Sequence, residues 1–174
     1  MSRRPLLALV LAALVVVVPA RAQAQTPVTG GTAYTVPPTA LATVGPDGLA
    51  VAPPGAPPPV AAIIDAGNRI AALPYRYGGG HEEWDDTAYD CSGSVSFALR
   101  GAGLLATPQD STGLTRFGVA GAGTWVTIYA NAAHTYLVVA GLRFDTSGRA
   151  KAGSRWQAAP RSTRGYRVRH PLGL

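Results

Sequence analysis

The spacing of apolar and polar positions changes along this chain, and each pattern predicts a different structure. An uninterrupted apolar run covers residues 6–18 and follows Arg3 and Arg4. Apolar residues then recur at helical spacing from Ile63 to Ala71, and again from Cys91 to Leu99. After Gly123 apolar and polar residues alternate, which is typical of strands that bury one face.

The alternating region predicts a small antiparallel sheet. Three successive strands are expected in residues 125–130, 134–139 and 142–145, with a two-residue turn at positions 140 and 141. A last strand is expected at residues 165–170. Because helical patterns come first and strands follow, the sequence predicts an α+β domain that covers residues 60–174.

The first 59 residues predict export rather than a core. The basic start, the apolar run and the small residues up to Ala24 follow the order of a signal peptide, so residues 1–24 are expected to be removed, with Ala22 as the alternative last residue. The apolar run has 13 residues, fewer than the roughly 20 that span a bilayer, so no lasting membrane anchor is expected. Residues 25–59 are rich in Pro, Ala and Gly, which predicts a disordered linker in a secreted or periplasmic protein.

Positive charge concentrates near the C-terminus. Eight Lys and Arg residues lie between Arg143 and Arg169, against Asp145 alone. We interpret this region as a basic extension, which is either a solvated face or a surface for an anionic polymer such as a cell wall. The chain has no aromatic-rich nucleic-acid motif, so nucleic acid is not an expected partner.

Cys91 is the only cysteine, and it stands where a helix is predicted to begin. Asp90 is a good N-cap, because its carboxylate can accept the amide of Ser92 or Gly93. A helix N-terminus lowers the pKa of a thiol, and the free amide of Cys91 can donate to an oxyanion. The alternative is a small buried hydrophobic residue. Since a lone thiol is unusual in an exported chain, the position favours a nucleophile.

A nucleophilic thiol needs a base, and the chain has His81, His134 and His170. His134 is favoured because it opens the central strand. Alternation places it on the face of Tyr136, which we expect the covering helix to meet. His81 and His170 remain the alternatives.

The turn at residues 140 and 141 also predicts which residue orients this base. With two residues in the turn, His134 opposes Ser147, and Asp145 is its diagonal neighbour on the same face. Asp145 is therefore the favoured orienting residue. Thr146 is the alternative, because a change of one residue in the turn would reverse the faces.

Three features together resemble a known family. They are Leu73–Gly79 (Leu-Pro-Tyr-Arg-Tyr-Gly-Gly), Asp90–Val95 (Asp-Cys-Ser-Gly-Ser-Val), and a histidine that opens a strand after a preceding strand. This set is similar to the NlpC-type cysteine peptidases of bacterial cell walls, which are papain-like. The resemblance implies a nucleophile helix packed on a small antiparallel sheet, with Cys91 as nucleophile, His134 as base and the Tyr75 hydroxyl near the active site.

Two positions depart from the family pattern. The Pro-Gly-Asp-Leu segment that precedes the histidine strand is replaced by residues 122–125. The third polar residue of the family, often a second histidine, falls near Thr146, beside Asp145. These departures leave the third catalytic position and the substrate subsite open.

The resemblance implies an exported hydrolase that cleaves peptidoglycan stem peptides, of the D-glutamyl to diamino-acid type, through an acyl-thioenzyme. No metal or cofactor is expected. Tyr77, Asp90 and Ser92 are expected to bind the substrate, and the acidic loop of residues 81–86 is either solvated or a site for a substrate ammonium. Two other functions stay open: an amidase or acyltransferase of the same fold, and a non-catalytic wall-binding module.

Overall fold

The computed structural model of this protein describes residues 41–174. These residues form an α+β domain in which helices pack on an antiparallel sheet. The expected signal peptide and residues 25–40 of the expected linker lie outside the described residues. No helix within residues 41–174 is long and apolar enough to cross a membrane.

The elements follow one another in a simple order. The helices are α1 (Pro58–Ile70), α2 (Cys91–Gly101), α3 (Ser111–Leu114) and α4 (Arg149–Ala152). The strands are β1 (Thr43–Val44), β2 (Ala50–Val51), β3 (Val119–Ala120), β4 (Val126–Ala130), β5 (Thr135–Val139), β6 (Leu142–Phe144), β7 (Trp156–Gln157) and β8 (Arg167–His170). β1 and β2 form a hairpin, and the other six strands form one sheet in the order β3-β8-β4-β5-β6-β7.

The predicted linker extends too far into the domain. Residues 43–51 form the β1–β2 hairpin, and α1 begins at Pro58. The Asn68 side chain on α1 bonds both the N–H and the C=O of Ala50, each at 2.9 Å, and Ala50 is buried. Proline is frequent in residues 41–59. The first turn of a helix tolerates proline, because its amides have no intrahelical acceptor. The disorder prediction is therefore wrong for the ordered residues 41–59.

The predicted meander of three strands is confirmed, with its register. Leu137 pairs with Phe144, and Val139 pairs with Leu142, as a two-residue turn requires. Ala140 and Gly141 have φ values of 45° and 80°. Positive φ at both positions gives a hairpin turn whose twist matches that of the flanking strands.

The helices cover the opposite face of the sheet from the one predicted. Leu137, Val139 and Phe144 join the hydrophobic core with residues of α1 and α2. The approach of α1 is so close that a Cβ on Gly67 would lie 2.5 Å from the ring of Trp156. Alternation therefore turns Tyr136 to the outer face, so the predicted helix-facing position of His134 is wrong.

The C-terminal region is part of the domain and not an extension. β8 lies between β3 and β4 in the sheet. On the outer face, the Arg161 guanidinium lies 4.9 Å from the ring centroid of Tyr136, and the Tyr166 ring meets Tyr136 edge-on at 5.3 Å. The segment that contains Arg161 and Tyr166 therefore covers the outer face of the sheet beside His134.

Candidate active site

The N-terminus of α2 carries Cys91 as predicted. Cys91 is the first residue of the helix, and the Asp90 carboxylate caps the helix by accepting the Gly93 amide at 2.7 Å. The first amides of a helix lack intrahelical acceptors, so the Cys91 N–H can donate to a ligand. The predicted cap and the predicted position of the thiol are both confirmed.

The carboxylate of Asp90 joins α2 to the glycine-rich loop. Oδ2 accepts the Gly78 amide at 3.0 Å, and Oδ1 lies 3.1 Å from Nε2 of His81. Ser92 is buried, and its hydroxyl donates to the same Oδ1 at 3.2 Å. These groups and the Gly93 amide compensate the negative charge of Asp90. The carboxylate therefore opposes ionisation of the Cys91 thiol less.

His134 and Asp145 form the pair that the register predicted. Nε2 of His134 lies 2.9 Å from Oδ1 of Asp145, and the Ser147 amide donates to the same oxygen at 2.8 Å. The Ser147 hydroxyl lies 3.3 Å from Nε2. Because Nε2 is used in this way, Nδ1 is the ring nitrogen left for a thiol.

The end of β5 explains how an outer-face histidine reaches a helix on the inner face. His134 immediately precedes β5, so it stands at the N-terminal end of a central strand. His134 and the Thr135 amide are among the groups that lower the pKa of the Cys91 thiol, which places the sulfur near this strand end. The histidine and the thiol therefore meet around the end of the strand and not across its surface.

The two groups change each other's protonation. Burial alone would raise the pKa of the Cys91 thiol, but hydrogen bonds from His134 and Ser111 and the charge of His134 hold this pKa below its ordinary value. Burial alone would lower the pKa of His134, but the bonds to Asp145 and Cys91 raise it to about 9. At neutral pH these shifts favour a thiolate beside an imidazolium.

An open cleft of about 330 Å³ lies beside the thiol. The described residues that line it are Tyr75, Tyr77, Gly78, His81, Asp90, Cys91, Ser92, Asp110, Ser111, Thr112, Ala132 and Ala133. None of these is Lys or Arg. Tyr77 is 90% exposed at the rim, whereas burial and the nearby charges of Cys91 and Asp90 raise the pKa of Tyr75. The structure thus brings all the candidate substrate-binding residues to one cleft.

The other candidates have different places. His81 lies in the cleft on Asp90 and Ser92. His170, on β8, lies with Nδ1 3.0 Å from the carbonyl of Gly121. The backbone carbonyl of Thr146 accepts an amide from α4, and it is Asp145 that bonds His134.

Hydrogen bonds and an ion pair of Asp86 hold the acidic loop before α2. Asp86 accepts the Gly80 amide at 3.0 Å and pairs with Arg76 at 2.6 Å. The Gly80 amide in the first place, then the Thr87 amide and Arg76, lower the pKa of Asp86 to about 2. The expectation of a solvated loop is wrong for Asp86, because this carboxylate organises the glycine-rich loop that lines the cleft.

Two site residues had no clear signal in the sequence. Ser111 begins α3 and lies with its hydroxyl 3.6 Å from the Cys91 sulfur. Asp110 caps this short helix by accepting the Gly113 amide. The sequence can predict this cap, but it does not predict that the helix contacts α2. Arg161 donates to Oδ2 of Asp145 at 2.6 Å. In the sequence, Arg161 is one of the basic residues of the C-terminal region, and no local pattern connects it to Asp145.

No protein-family model matches this chain, and no curated protein matches it. The resemblance to NlpC-type peptidases therefore depends on its motifs. Within residues 41–174, no group of three or more His, Cys, Asp or Glu residues could hold a metal ion.

Proposed function

We propose that this protein is an exported cysteine peptidase of papain-like type that hydrolyses amide bonds in peptidoglycan stem peptides. The observation that carries the proposal is the line of Cys91, His134 and Asp145 beside an open cleft, with the thiol at a helix N-terminus. This arrangement gives a nucleophile, a base and an orienting carboxylate in the order that acyl transfer needs. It favours an enzyme over a non-catalytic wall-binding module.

The geometry supports a two-step hydrolysis. The Cys91 thiolate attacks the carbonyl carbon, and the oxyanion accepts hydrogen bonds from the Cys91 amide and the Tyr75 hydroxyl. As the C–N bond breaks, His134 gives its proton to the leaving amine, and an acyl-thioenzyme remains. Water then adds to the thioester and gives a proton to His134, and breakage of the C–S bond releases the acid and the Cys91 thiolate.

The charges that line the cleft favour a substrate with a free amine. The described residues that line the cleft include no Lys or Arg, and the exposed carboxylate of Asp110 is the one that can meet such an amine, because the Asp90 carboxylate is buried and already bonded. The stem-peptide class and the D-glutamyl to diamino-acid bond are what the family resemblance of residues 73–79 and 90–95 implies, and export is what the apolar run near the N-terminus predicts.

Digestion of purified muropeptides, followed by mass spectrometry, tests the reaction. We expect the wild-type protein to release shortened stem peptides, and Cys91→Ala and His134→Ala to release none. His170→Ala is the matched control and should cleave as the wild type does, because His170 lies on β8 away from the thiol. Identical product profiles for the wild type and Cys91→Ala would contradict the proposal.

Added amine acceptors distinguish hydrolysis from transfer. A hydrolase yields a free acid, whereas an acyltransferase of the same fold yields a new amide. A Cys91 thiol that is alkylated with the pH dependence of an ordinary cysteine, near 8.5, would favour the non-catalytic module.

A further inference from the structure

The carboxylate of Asp145 is bonded on both sides. Its side chain is fully buried, with Oδ1 on His134 and the Ser147 amide, and Oδ2 on the Arg161 guanidinium at 2.6 Å. Among residues 41–174, the only other Lys or Arg within 4 Å of this carboxylate is Arg143, whose Nε is 3.8 Å from Oδ2, too long for a hydrogen bond. Arg161 is therefore the main partner of the oxygen that His134 does not use.

The protein holds Arg161 in place from two further directions. Its guanidinium lies 4.9 Å from the ring centroid of Tyr136 and 5.6 Å from that of Tyr166. These rings pack edge to face with each other, and the Arg161 side chain is only 25% exposed. A planar guanidinium can stack on rings and donate to a carboxylate at once, which an ammonium does poorly.

We propose that Arg161 is a positioning residue that acts on His134 through Asp145, by fixing the second carboxylate oxygen and drawing part of its charge away from the imidazole. A carboxylate shared with a guanidinium attracts the proton of the neighbouring imidazolium less strongly. Arg161 thus makes His134 readier to give up its proton. For the proposed hydrolysis, on which this role rests, that readiness assists protonation of the leaving amine.

The other groups around His134 do not draw charge away from the Asp145 carboxylate as Arg161 does. Those that face it are Cys91 of α2, Asp145 and Ser147 after β6, Tyr136 of β5, and Tyr166 before β8, with Arg143 of β6 and Arg161 behind Asp145. Cys91 and Asp145 favour the charged imidazolium. Arg161 is the cation that directly contacts the Asp145 carboxylate, and it opposes the effect of that carboxylate on the imidazolium.

Histidine titration by NMR in the full chain tests the role without any substrate. The His134 signal is the one missing from His134→Gln. We expect Arg161→Met to move the His134 titration upward by about half a pH unit or more, because a nearby positive charge is lost. Arg161→Gln should move it in the same direction and serves if the methionine disturbs folding. Arg161→Lys should bring it back toward the wild-type value.

Arg164→Met is the matched control, because Arg164 is exposed three residues further along the same loop. It should leave the titration unchanged. An Arg161→Met titration that stays in place or moves downward would overturn the positioning role. If the titration moves upward but the wild type cleaves no muropeptide, the role of Arg161 stands and the proposed function fails. If both hold, Arg161→Met should also lower kcat with little change in KM.

Discussion

At the scale of single residues, Asp145 determines how the candidate base behaves. It is fully buried, yet the bonds from His134, the Ser147 amide and Arg161 outweigh the effect of burial and hold its pKa below the usual range. A buried carboxylate that stays charged raises the proton affinity of the imidazole beside it. The raised pKa of His134 therefore depends on Asp145, together with Cys91, and not on the histidine alone.

Replacing this carboxylate should reverse the shift. In Asp145→Asn, His134 loses the charge of one of the two groups, Asp145 and Cys91, that together raise its pKa to about 9. The alkaline limb of kcat/KM, where the imidazolium loses its proton, should then move to lower pH. Activity should fall by roughly 10²-fold or more, because an amide can also hold the wrong tautomer of the imidazole. A pH profile on muropeptides measures both effects.

Asp65→Asn is the control for this prediction, since Asp65 is exposed on α1. An alkaline limb that stays in place in Asp145→Asn would contradict the assignment. The direction is opposite to the one expected for Arg161→Met, so the two variants separate the removal of the carboxylate from the removal of its counter-charge.

The sequence was sufficient for residues whose partners lie in the same local pattern. Asp90 could be recognised as a cap from its position before Cys91, and Asp145 could be placed from the turn that sets the strand register. Arg161 could not be found in this way. Its contact with Asp145 depends on a loop that returns across the sheet, and no spacing rule connects two residues across such a loop.

At the scale of elements, Arg155 joins the two large helices. It is fully buried and donates to the carbonyls of Ile70, Leu73, Pro74 and Tyr89 and to the Ser94 hydroxyl. Burial, with the charge of Arg149, lowers its pKa to about 10, so it stays charged at neutral pH. The end of α1, the loop after it and the start of α2 thus share one cation.

Removing this cation should destabilise the domain. In Arg155→Met, several buried carbonyls lose their donor at once, and we expect the free energy of unfolding to fall by about 3–5 kcal/mol. Urea denaturation followed by tryptophan fluorescence measures it. Arg167→Met, an exposed change on β8, should cost far less. Equal losses in the two variants would contradict the central place of Arg155.

Periodicity predicted the long elements and missed the short ones. α1, α2 and the meander each repeat their pattern often enough to be recognised. β3 and β7 have two residues each and α4 has four, so no period can be read from them. Alternation also separated the two faces of the sheet correctly but did not reveal which face the helices cover, because both faces carry buried residues.

At the scale of the whole molecule, acid should weaken the structure through the glycine-rich loop. The pKa of Asp86 is lowered from 3.8 to about 2 in the folded state. A lowered pKa contributes stability that is present above about 4 and is lost as the pH falls through about 2. The loop that Asp86 holds against α2 should therefore loosen in that range.

A thermal-melting series between pH 7 and pH 2 checks this effect. Asp86→Asn should melt below the wild type at pH 7, and the gap should close as the pH falls from about 4 to about 2. Glu82→Gln changes an exposed acid in the same loop and should show no such pH-dependent gap. A gap that stays constant down to pH 2 would contradict the role of Asp86.

The place of β8 between β3 and β4 also fixes when the site can form during synthesis. A chain that has been made only as far as Asp145 already contains the thiol, the imidazole and the carboxylate. It lacks Arg155, Arg161 and the strand that fills the sheet beside β4. We therefore expect an unfinished chain to keep an ordinary thiol at Cys91 until β8 has been added.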